Sequence, residues 1–235
     1  MLTSLQSDSV AVVIGATGGI GAGVVAQLQA DAPFARVVGL SRSTRPALDL
    51  LDEASIRHCA EHIASLALPV RLVLDATGAL NGDGMQAEKS WLQIDASQMA
   101  HAFAINAIGP ALLMKHFLPL LPKSGKAVFA SLSAKVGSIG DNRLGGWYSY
   151  RASKAALNQL VHTAAIELRR RAPQAVCVVL HPGTVATALS SAFAKTGLEV
   201  QTPAQSAARV LAVIDGLTAA DSGGFFNHDG SALPW

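Results

Sequence analysis

Short apolar segments rich in β-branched residues alternate with longer Ala- and Leu-rich segments of helical period along the chain. This alternation predicts a parallel sheet with helices on both faces, since parallel strands are buried on both sides and joined by helical crossovers. The predicted strands are Val10–Ile14, Arg36–Leu40, Val70–Ala76, Ala127–Ser133, Ala175–Leu180 and Gly223–Asn227, and the predicted helices are Gly19–Ala30, Glu53–Leu66, Ser97–Leu118, Ser149–Arg171 and Pro203–Gly216. We therefore predict a doubly wound, Rossmann-type α/β fold.

The length and charge of the chain limit its organisation and its partners. A chain of 235 residues without repeats or low-complexity segments fits one α/β domain, which we expect to span residues 1–235. Half of the residues are hydrophobic and 14% are charged, a composition that argues against extensive disorder. The net charge of +2, with both signs well mixed, gives no basic stripe for nucleic acid or an anionic membrane. We expect a small-molecule substrate and neither of those partners.

The two cysteines and the N-terminus indicate a cellular setting. Cys59 and Cys177 lie far apart and neither belongs to a CxxC pair, so we expect free thiols in a reducing, cytoplasmic environment. The N-terminal "MLTSLQSDSV" has no basic region followed by an apolar stretch, and no apolar run approaches the ~18 residues of a membrane span. The sequence therefore predicts neither a targeting segment nor a membrane anchor.

His58 and His62 have the four-residue spacing of metal ligands on a helix. The apolar residues of that helix form its inward stripe, which places both histidines on the opposite face. Cys59 lies between them, but the sequence places no carboxylate or further ligand so as to complete a metal site. We expect no metal site.

The first predicted strand runs directly into "GATGGIG", Gly15–Gly21, which opens the first predicted helix. Glycines at Gly15, Gly19 and Gly21 let the backbone turn tightly and approach a pyrophosphate, and the helix N-terminus stabilises its charge. A plain strand-to-helix turn is the alternative for such a triplet. Its position after the first strand favours a dinucleotide site.

The end of the second predicted strand, "VVGLSRS", predicts which dinucleotide binds. An acidic residue there would accept hydrogen bonds from a free ribose 2′-hydroxyl, but the chain has Ser41 followed by Arg42. The guanidinium fork of arginine matches phosphate oxygens, which favours the 2′-phosphate of NADP(H). Arg42 as a solvated surface residue is the alternative, and Arg45 either shares its role or faces water.

The stretch "GWYSYRASKAALN" holds both tyrosines of the chain, Tyr148 and Tyr150. Tyr150 and Lys154 are four residues apart and share a helical face, whereas Tyr148 lies well off the Lys154 face. A neighbouring ammonium stabilises a phenolate and lowers the pKa of the tyrosine from about 10. We predict that Tyr150, assisted by Lys154, is the acid–base group, and that Tyr148 and Trp147 shape the pocket or pack beneath it.

Two further positions are candidates for chemistry. Ser133 ends the strand in "FASLSAKVG", at the sheet edge where ligands bind, and can hydrogen-bond a carbonyl oxygen. Asn106 precedes Pro110 by four residues, and because proline has no N–H, the Asn106 carbonyl loses its helical partner and can hold a water near the lysine. A kinked helix without function is the alternative.

These features together resemble the short-chain dehydrogenase/reductase family over essentially the whole chain. The glycine turn, the Tyr-x-x-x-Lys pair and the helix asparagine match its motifs, as do the Pro-Gly of "HPGTVAT" and the acidic position of "ALDLLDEAS". The cofactor-binding residues that the resemblance implies are Gly15, Thr17, Gly19, Ile20, Gly21, Ser41, Arg42, Asp49, Leu50, Ala76, Tyr150, Lys154, Pro182, Val185 and Thr187. Val185 and Thr187 match positions that hold the nicotinamide carboxamide, and Asp49 with Leu50 matches the adenine-binding segment.

The resemblance also implies a mechanism. Lys154 would bind the nicotinamide ribose, Tyr150 would transfer the proton, Ser133 would polarise the carbonyl, and Asn106 would hold the relay water. The closer likeness is to the C-factor-like and sniffer-type carbonyl reductases, which implies NADPH and reduction of an aldehyde or ketone to an alcohol. A nucleotide-binding signalling or scaffold protein with incidental turnover is the alternative.

The chain departs from the family pattern at two positions. The family's Asn-Asn-Ala-Gly is "DATG" here, Asp75–Gly78, although Ala76 can still present its backbone to the ribose. The second residue of the family's serine pair is Ala134, so Ser133 is the predicted catalytic serine and Ser131 its substitute. The sequence leaves open whether the helices are solvated or pair in a homodimer or homotetramer.

The sequence predicts where substrate selection occurs but not the substrate itself. Two segments lack a clear period, residues 81–94 and 186–202, and residues 140–147 immediately precede the predicted catalytic tyrosine. Trp147, immediately before the tyrosines, is the best candidate for a wall of the pocket. We expect these segments to determine which carbonyl compound is accepted.

Overall fold

The computed structural model describes residues 2–31, 34–81, 86–187 and 200–235. The strands are β1 (Val10–Ile14), β2 (Arg36–Leu40), β3 (Val70–Asp75), β4 (Ala127–Leu132), β5 (Ala175–His181), β6 (Thr184–Val185), β7 (Val200–Gln201) and β8 (Phe225–Asn227). Six of them form one parallel sheet in the order β2-β1-β3-β4-β5-β8, and β6 pairs with β7 separately. The predicted strands are thus all present, within two residues of their predicted ends.

The helices are α1 (Gly19–Asp31), α2 (Glu53–Ser65), α3 (Ala96–Phe103), α4 (Gly109–Phe117), α5 (Tyr148–Arg171) and α6 (Pro203–Gly216). They cover both faces of the sheet, as the alternation of side chains along β1 shows. Val10, Val12 and Ile14 pack with α2, α4 and α5, whereas Ala11 and Val13 pack with α1 and α6. The predicted doubly wound α/β fold is confirmed.

The sheet order creates the crevice in which such folds bind ligands. β2 lies on one side of β1 and β3 lies on the other, so the connections that leave β1 and β3 diverge at their carboxyl ends. A crevice forms at such a switch point. The glycine turn after β1 and the DATG segment after β3 border it.

The helix predicted over residues 97–118 is present as a helical run over residues 96–120, but it is not α-helical throughout. A π-helical segment, Ala104–Ile108, separates α3 from α4. Pro110 follows this segment after Gly109, and because proline has no N–H it cannot donate a hydrogen bond to the Asn106 carbonyl. Single π-turns of this kind accommodate a broken hydrogen-bond ladder within a helix.

The helical run over residues 96–120 is long and apolar on average, although polar residues interrupt it. By length and composition alone it is sufficient to cross a membrane, with a mean hydropathy of 1.3. Its buried side chains, including Leu113, Met114 and Phe117, belong to the core on one face of the sheet. Packing on the sheet accounts for the apolar composition of these residues.

Candidate active site

The glycine turn is tightened by contacts that exclude side chains. Gly15 has a φ of +80°, and its N–H donates to the carbonyl of Leu40 at 2.8 Å. A Cβ atom at Gly21 would collide with the Gly15 carbonyl oxygen, and one at Gly19 would lie 2.8 Å from Thr187 Cγ2. The turn therefore brings bare backbone to the crevice in front of the N-terminus of α1, as pyrophosphate binding requires.

The other predicted cofactor residues border the same crevice. Thr17 is exposed on the turn, and Ile20 packs against the core on the α1 side of the sheet. The Ala76 N–H donates to Ile14 at 2.8 Å, which fixes the backbone just after β3. Beyond β5, the Pro182 carbonyl accepts from Ser206 at 3.0 Å, and Val185 is buried in β6. The structure brings these elements together at the carboxyl edge of the sheet.

The turn after β2 is pinned by its own hydroxyl groups. The Ser41 N–H donates to Thr44 Oγ1 at 2.8 Å, and that hydroxyl donates back to the Ser41 carbonyl at 2.9 Å. Ser41 Oγ accepts from the Ser43 N–H at 3.2 Å. Arg42 and Arg45 extend from this turn as exposed side chains. Two exposed arginines and several hydroxyls thus belong to the turn that is predicted to bind the 2′-phosphate.

The predicted adenine-binding segment lies between β2 and α2. Asp49 Oδ1 accepts from the Leu51 N–H at 3.0 Å, and Ser55 Oγ accepts from the Asp49 N–H at 2.9 Å. Leu50 lies against α4, because a Cβ at Gly109 would come within 2.8 Å of it. Asp49 and Leu50 are therefore held in place by α2 and α4.

Tyr150 and Lys154 lie one turn apart near the start of α5 and are both buried, with 9% and 2% of their surfaces exposed. The Lys154 ammonium donates to the Leu132 carbonyl at the end of β4, at 2.8 Å. Tyr148, the first residue of α5, is only half-buried. The predicted pair of Tyr150 and Lys154 thus lies on one buried helix face.

Burial determines the acid–base properties of this pair. It raises the pKa of the Tyr150 phenol well above the usual value of 10. It also lowers the pKa of Lys154 to about 8, against the charge of Asp75, which raises it. The pKa of Tyr150 is therefore raised in this structure, against the expected lowering, because the phenol loses its hydration on burial. At neutral pH Tyr150 is a protonated phenol.

The side chain of Asn106 contacts the loop that follows β3. Its Nδ2 donates to the Ala79 carbonyl at 2.8 Å, and its Oδ1 accepts from the Ala79 N–H at 2.9 Å. A Cβ at Gly78 would lie 3.4 Å from both Asn106 Oδ1 and Lys154 Nζ. The sequence analysis considered only the Asn106 carbonyl, whereas the side chain holds the loop beside Lys154.

The two candidate serines differ in position. Ser131 lies within β4, fully buried, and its Oγ donates to Asp75 Oδ2 at 2.6 Å. Ser133 follows the last residue of β4, and its Oγ donates to Asn158 Oδ1 on α5 at 2.6 Å. Because Ser131 is held inside the sheet, the geometry favours Ser133 as the serine that meets substrate. This assignment stays a prediction.

Glu88 is a site residue that the sequence analysis missed. Its carboxylate is 2% exposed and accepts hydrogen bonds from the Ser149 hydroxyl and from the Ser149 N–H, the latter at 3.2 Å. Its main-chain carbonyl accepts from the Trp147 N–H at 2.5 Å. Trp147, with a φ of +56°, precedes α5 and gives no side-chain cap. Glu88 therefore caps the helix that carries Tyr150.

We expect Glu88→Ala to lower the free energy of unfolding by about 1–3 kcal/mol, because it leaves buried Ser149 donors without their acceptor. Urea denaturation followed by circular dichroism measures this loss. Glu61→Ala is the control, since Glu61 pairs with Arg57 at 3.8 Å and both side chains are more than 60% exposed. Equal stability of the two variants would contradict the capping role.

The segments predicted to select substrate are described in part. Residues 82–85 and 188–199 lie outside the described residues. In the segment of residues 140–147, Gly145, Gly146 and Trp147 all have positive φ, and Arg151 donates to the carbonyls of Gly145 and Gly146 at 3.2 and 2.9 Å. The Trp147 and Tyr150 rings lie edge to face, with 6.3 Å between their centroids. Trp147 therefore borders the phenol, as expected of a pocket wall.

Within the described parts of the chain, no group of three or more His, Cys, Asp or Glu side chains is arranged to hold a metal ion. His58 and His62 are exposed, and the inward face of α2 is formed by its apolar residues and Cys59. The predicted orientation of this helix is thus confirmed.

A dinucleotide crevice beside a buried Tyr–Lys pair defines a class of oxidoreductase, and comparison with known proteins agrees. A family model described as enoyl-(acyl carrier protein) reductase matches residues 15–219. The chain belongs to the short-chain dehydrogenase/reductase family.

Individual relatives share both sequence and fold. The chain is 39% identical over 144 residues to the C-signal of Myxococcus xanthus, covering 60% of this chain and 81% of that one. It is 29% identical over 242 residues to the 1-hydroxy-2-glutathionyl-2-methyl-3-butene dehydrogenase of Rhodococcus sp. strain AD45. This match covers 97% of this chain and 100% of that one. The NADPH-bound carbonyl reductase from chicken fatty liver superposes with a TM-score of 0.83 at 28% identity, covering 98% and 100%.

Proposed function

We propose that the protein is an NADPH-dependent carbonyl reductase that converts an aldehyde or ketone to an alcohol. The buried pair of Tyr150 and Lys154 at the carboxyl edge of the sheet carries this proposal, because it supplies a protonated phenol beside an ammonium group. The NADPH-bound carbonyl reductase with the same fold supports it.

The residues around the crevice fit NADP(H). Gly15, Gly19 and Gly21 present no side chain to obstruct a pyrophosphate, and Arg42 is exposed on the turn after β2, where a 2′-phosphate would bind. The Lys154 ammonium has three N–H donors, and one of them bonds the Leu132 carbonyl. The other two can donate to the hydroxyl groups of the nicotinamide ribose. When bound, NADPH supplies the hydride for the carbonyl carbon.

The chain's own residues supply the proton. The Tyr150 phenol donates to the carbonyl oxygen as negative charge develops there, and the Lys154 ammonium stabilises the phenolate that remains. The Ser133 hydroxyl, which donates to Asn158 in this structure, can rotate to donate to the same carbonyl oxygen. Asn106 keeps the loop beside Lys154 in position through its two bonds to Ala79.

A panel of aldehydes and ketones, assayed by NADPH absorbance and by detection of the alcohol, tests the proposed activity. We expect alcohol formation equal to NADPH consumed for part of the panel. Tight NADPH binding without turnover on any compound would contradict it.

We expect Arg42→Ala to weaken NADPH binding by about 10- to 100-fold, which corresponds to loss of a charge-assisted hydrogen bond, and to leave NADH binding unchanged. The ratio of kcat/KM for the two cofactors measures the effect. Arg36→Ala is the control, because Arg36 is exposed at the opposite end of β2. If Arg42→Ala keeps the cofactor preference of the wild type, Arg42 does not recognise the phosphate.

A second candidate function is nucleotide binding in a signalling or scaffold role. The 39% identity to the C-signal over 144 residues favours it. The same panel distinguishes the two, because a binding protein would retain NADPH with high affinity and oxidise none of it. The buried Tyr–Lys pair favours the enzyme.

We place this activity in the cytoplasm. Both cysteines, Cys59 and Cys177, are free and buried. Burial raises the pKa of the Cys59 thiol to about 11, so it stays protonated and unreactive. Free thiols support a reducing compartment.

A further inference from the structure

Asp75 is a fully buried carboxylate at the last position of β3. Its Oδ1 accepts from the Thr77 N–H at 3.0 Å and from the Thr77 hydroxyl at 2.5 Å, and its Oδ2 accepts from Ser131 at 2.6 Å. A buried charge without such donors is costly, so these bonds fix the carboxylate in one orientation. The family motif Asn-Asn-Ala-Gly has an asparagine at this position, whereas this chain has an aspartate.

Both segments that hold Asp75 also contact Lys154. Ser131 bonds Asp75 through its hydroxyl, and the next residue, Leu132, accepts from Lys154 Nζ at 2.8 Å. On the other side, Thr77 bonds Asp75, and a Cβ at the next residue, Gly78, would lie 3.4 Å from Lys154 Nζ. Adjacent residues of β4, and adjacent residues of the loop after β3, therefore lie next to both the carboxylate and the ammonium.

We propose that Asp75 is a positioning residue of the active site, whose buried carboxylate stabilises the ammonium of Lys154 across the Ser131–Leu132 and Thr77–Gly78 segments. Two opposite charges attract strongly at such a site, because little water separates them. Asp75 acts through Lys154, which in turn acts on the Tyr150 phenol. Its catalytic consequence rests on the proposed function, but its effect on the ammonium does not.

Other charged groups near Lys154 are arranged differently. Lys135, in the turn after β4, is half-exposed and pairs with Asp141 at 3.5 Å. Glu88 bonds the first turn of α5, and the π segment contributes the uncharged Asn106. At the end of β5, burial lowers the pKa of His181 to about 4, so it is neutral at physiological pH. Of the described residues, Asp75 is the one whose charge raises the pKa of Lys154.

The titration of Lys154 in the cofactor-free protein tests the proposal. The protein is labelled with [13Cε]lysine, and the Lys154 signal is identified by its loss in Lys154→Met. The midpoint in the wild type is expected near 8, and in Asp75→Asn it is expected to fall by about one pH unit, since removal of the negative charge destabilises the ammonium. An unchanged midpoint in folded Asp75→Asn would overturn the proposal.

Ser131→Ala is the matched control, because it removes a buried bond to Asp75 but keeps the carboxylate; its midpoint is expected to stay near 8. Asp75→Asn is nearly isosteric, but if it does not fold alone, the Asp75→Asn/Lys154→Met double variant is expected to fold, since no buried ammonium remains. Lys154→Met is expected to stabilise the Asp75→Asn background more than it stabilises the wild type, and an equal or smaller gain would overturn the proposal.

The pH dependence of kcat/KM for carbonyl reduction measures the catalytic consequence. Activity at high pH is limited by deprotonation of the Lys154 ammonium. The fall of kcat/KM at alkaline pH is therefore expected to begin at lower pH in Asp75→Asn and to be unchanged in Ser131→Ala. If the Lys154 titration midpoint shifts in Asp75→Asn but neither the wild type nor any variant reduces a carbonyl compound, the charge interaction stands and the proposed function is rejected. A normal rate with an unshifted limb would reject the role of Asp75.

Discussion

Tyr150→Phe is expected to reduce kcat for carbonyl reduction by about 10²- to 10⁴-fold, because it removes the proton donor and keeps the ring. The phenol is buried and protonated at neutral pH, and the ring packs edge to face against Trp147. Loss of the hydroxyl leaves that packing in place, so NADPH affinity is expected to change little. Fluorescence titration with NADPH and steady-state rates at saturating cofactor separate the two effects.

Tyr148→Phe is the matched control for this experiment. Tyr148 opens α5 and is half-buried, two residues from Tyr150 but off the face of Lys154. Its variant is expected to retain a kcat close to that of the wild type. Comparable losses in the two variants would show that the stretch contributes structure and not a specific proton donor.

Lys154→Met is expected to abolish activity and to stabilise the cofactor-free protein. Burial depresses the pKa of Lys154 to about 8, so the native state binds this proton less tightly than the unfolded chain does. The difference from the ordinary value near 10.5 corresponds to a cost of about 3 kcal/mol in the free energy of unfolding at neutral pH. Removal of the lysine relieves this cost but also loses the bond to Leu132, worth about 1 kcal/mol. Such a gain in stability with loss of function is expected where a site carries a buried charge.

The pH dependence of this gain has a definite sign. The cost of the Lys154 charge is fully present below about pH 8, and it is relieved as the pH rises through the range between the folded and unfolded pKa values, 8 to 10.5. The stability advantage of Lys154→Met is therefore expected to be largest at pH 7 and to disappear above pH 10.5. Urea denaturation at several pH values measures it. A variant less stable than the wild type at pH 7 would contradict the assigned burial cost.

The strands and the catalytic helix could be predicted from the sequence because their signals are local. Buried parallel strands consist of short β-branched runs, and Val10–Ile14 is an example whose two ends were predicted correctly. The four-residue spacing of Tyr150 and Lys154 placed both on one helix face, and the structure has them buried together. Spacing along a helix needs no knowledge of the tertiary structure.

Glu88 could not be predicted, because its role depends on a contact between segments distant in sequence. It lies in a stretch without regular period, 61 residues before the Ser149 that it caps. The left-handed conformation of Trp147 is equally invisible, since tryptophan rarely adopts positive φ without tertiary constraint. Only Pro110 gave a signal for the π segment, and it indicated a break in the helix but not its form.

The pKa of Tyr150 was predicted in the wrong direction for a physical reason. Sequence spacing shows that an ammonium lies near the phenol, but it does not show how much water both groups lose on folding. In the structure that loss raises the pKa of Tyr150 and lowers that of Lys154. Likewise, the change from asparagine to Asp75 was visible in the sequence, whereas its position beside the residues that contact Lys154 required the fold.

Transfer of deuterium from NADPH labelled at the nicotinamide C4 tests the central claim most directly. Mass spectrometry of the product alcohol from an accepted aldehyde or ketone is expected to show one deuterium on the former carbonyl carbon, from one of the two C4 positions only. Alcohol formed without deuterium from either labelled cofactor, or NADPH bound tightly with no alcohol formed across the panel, would contradict the assignment as a carbonyl reductase.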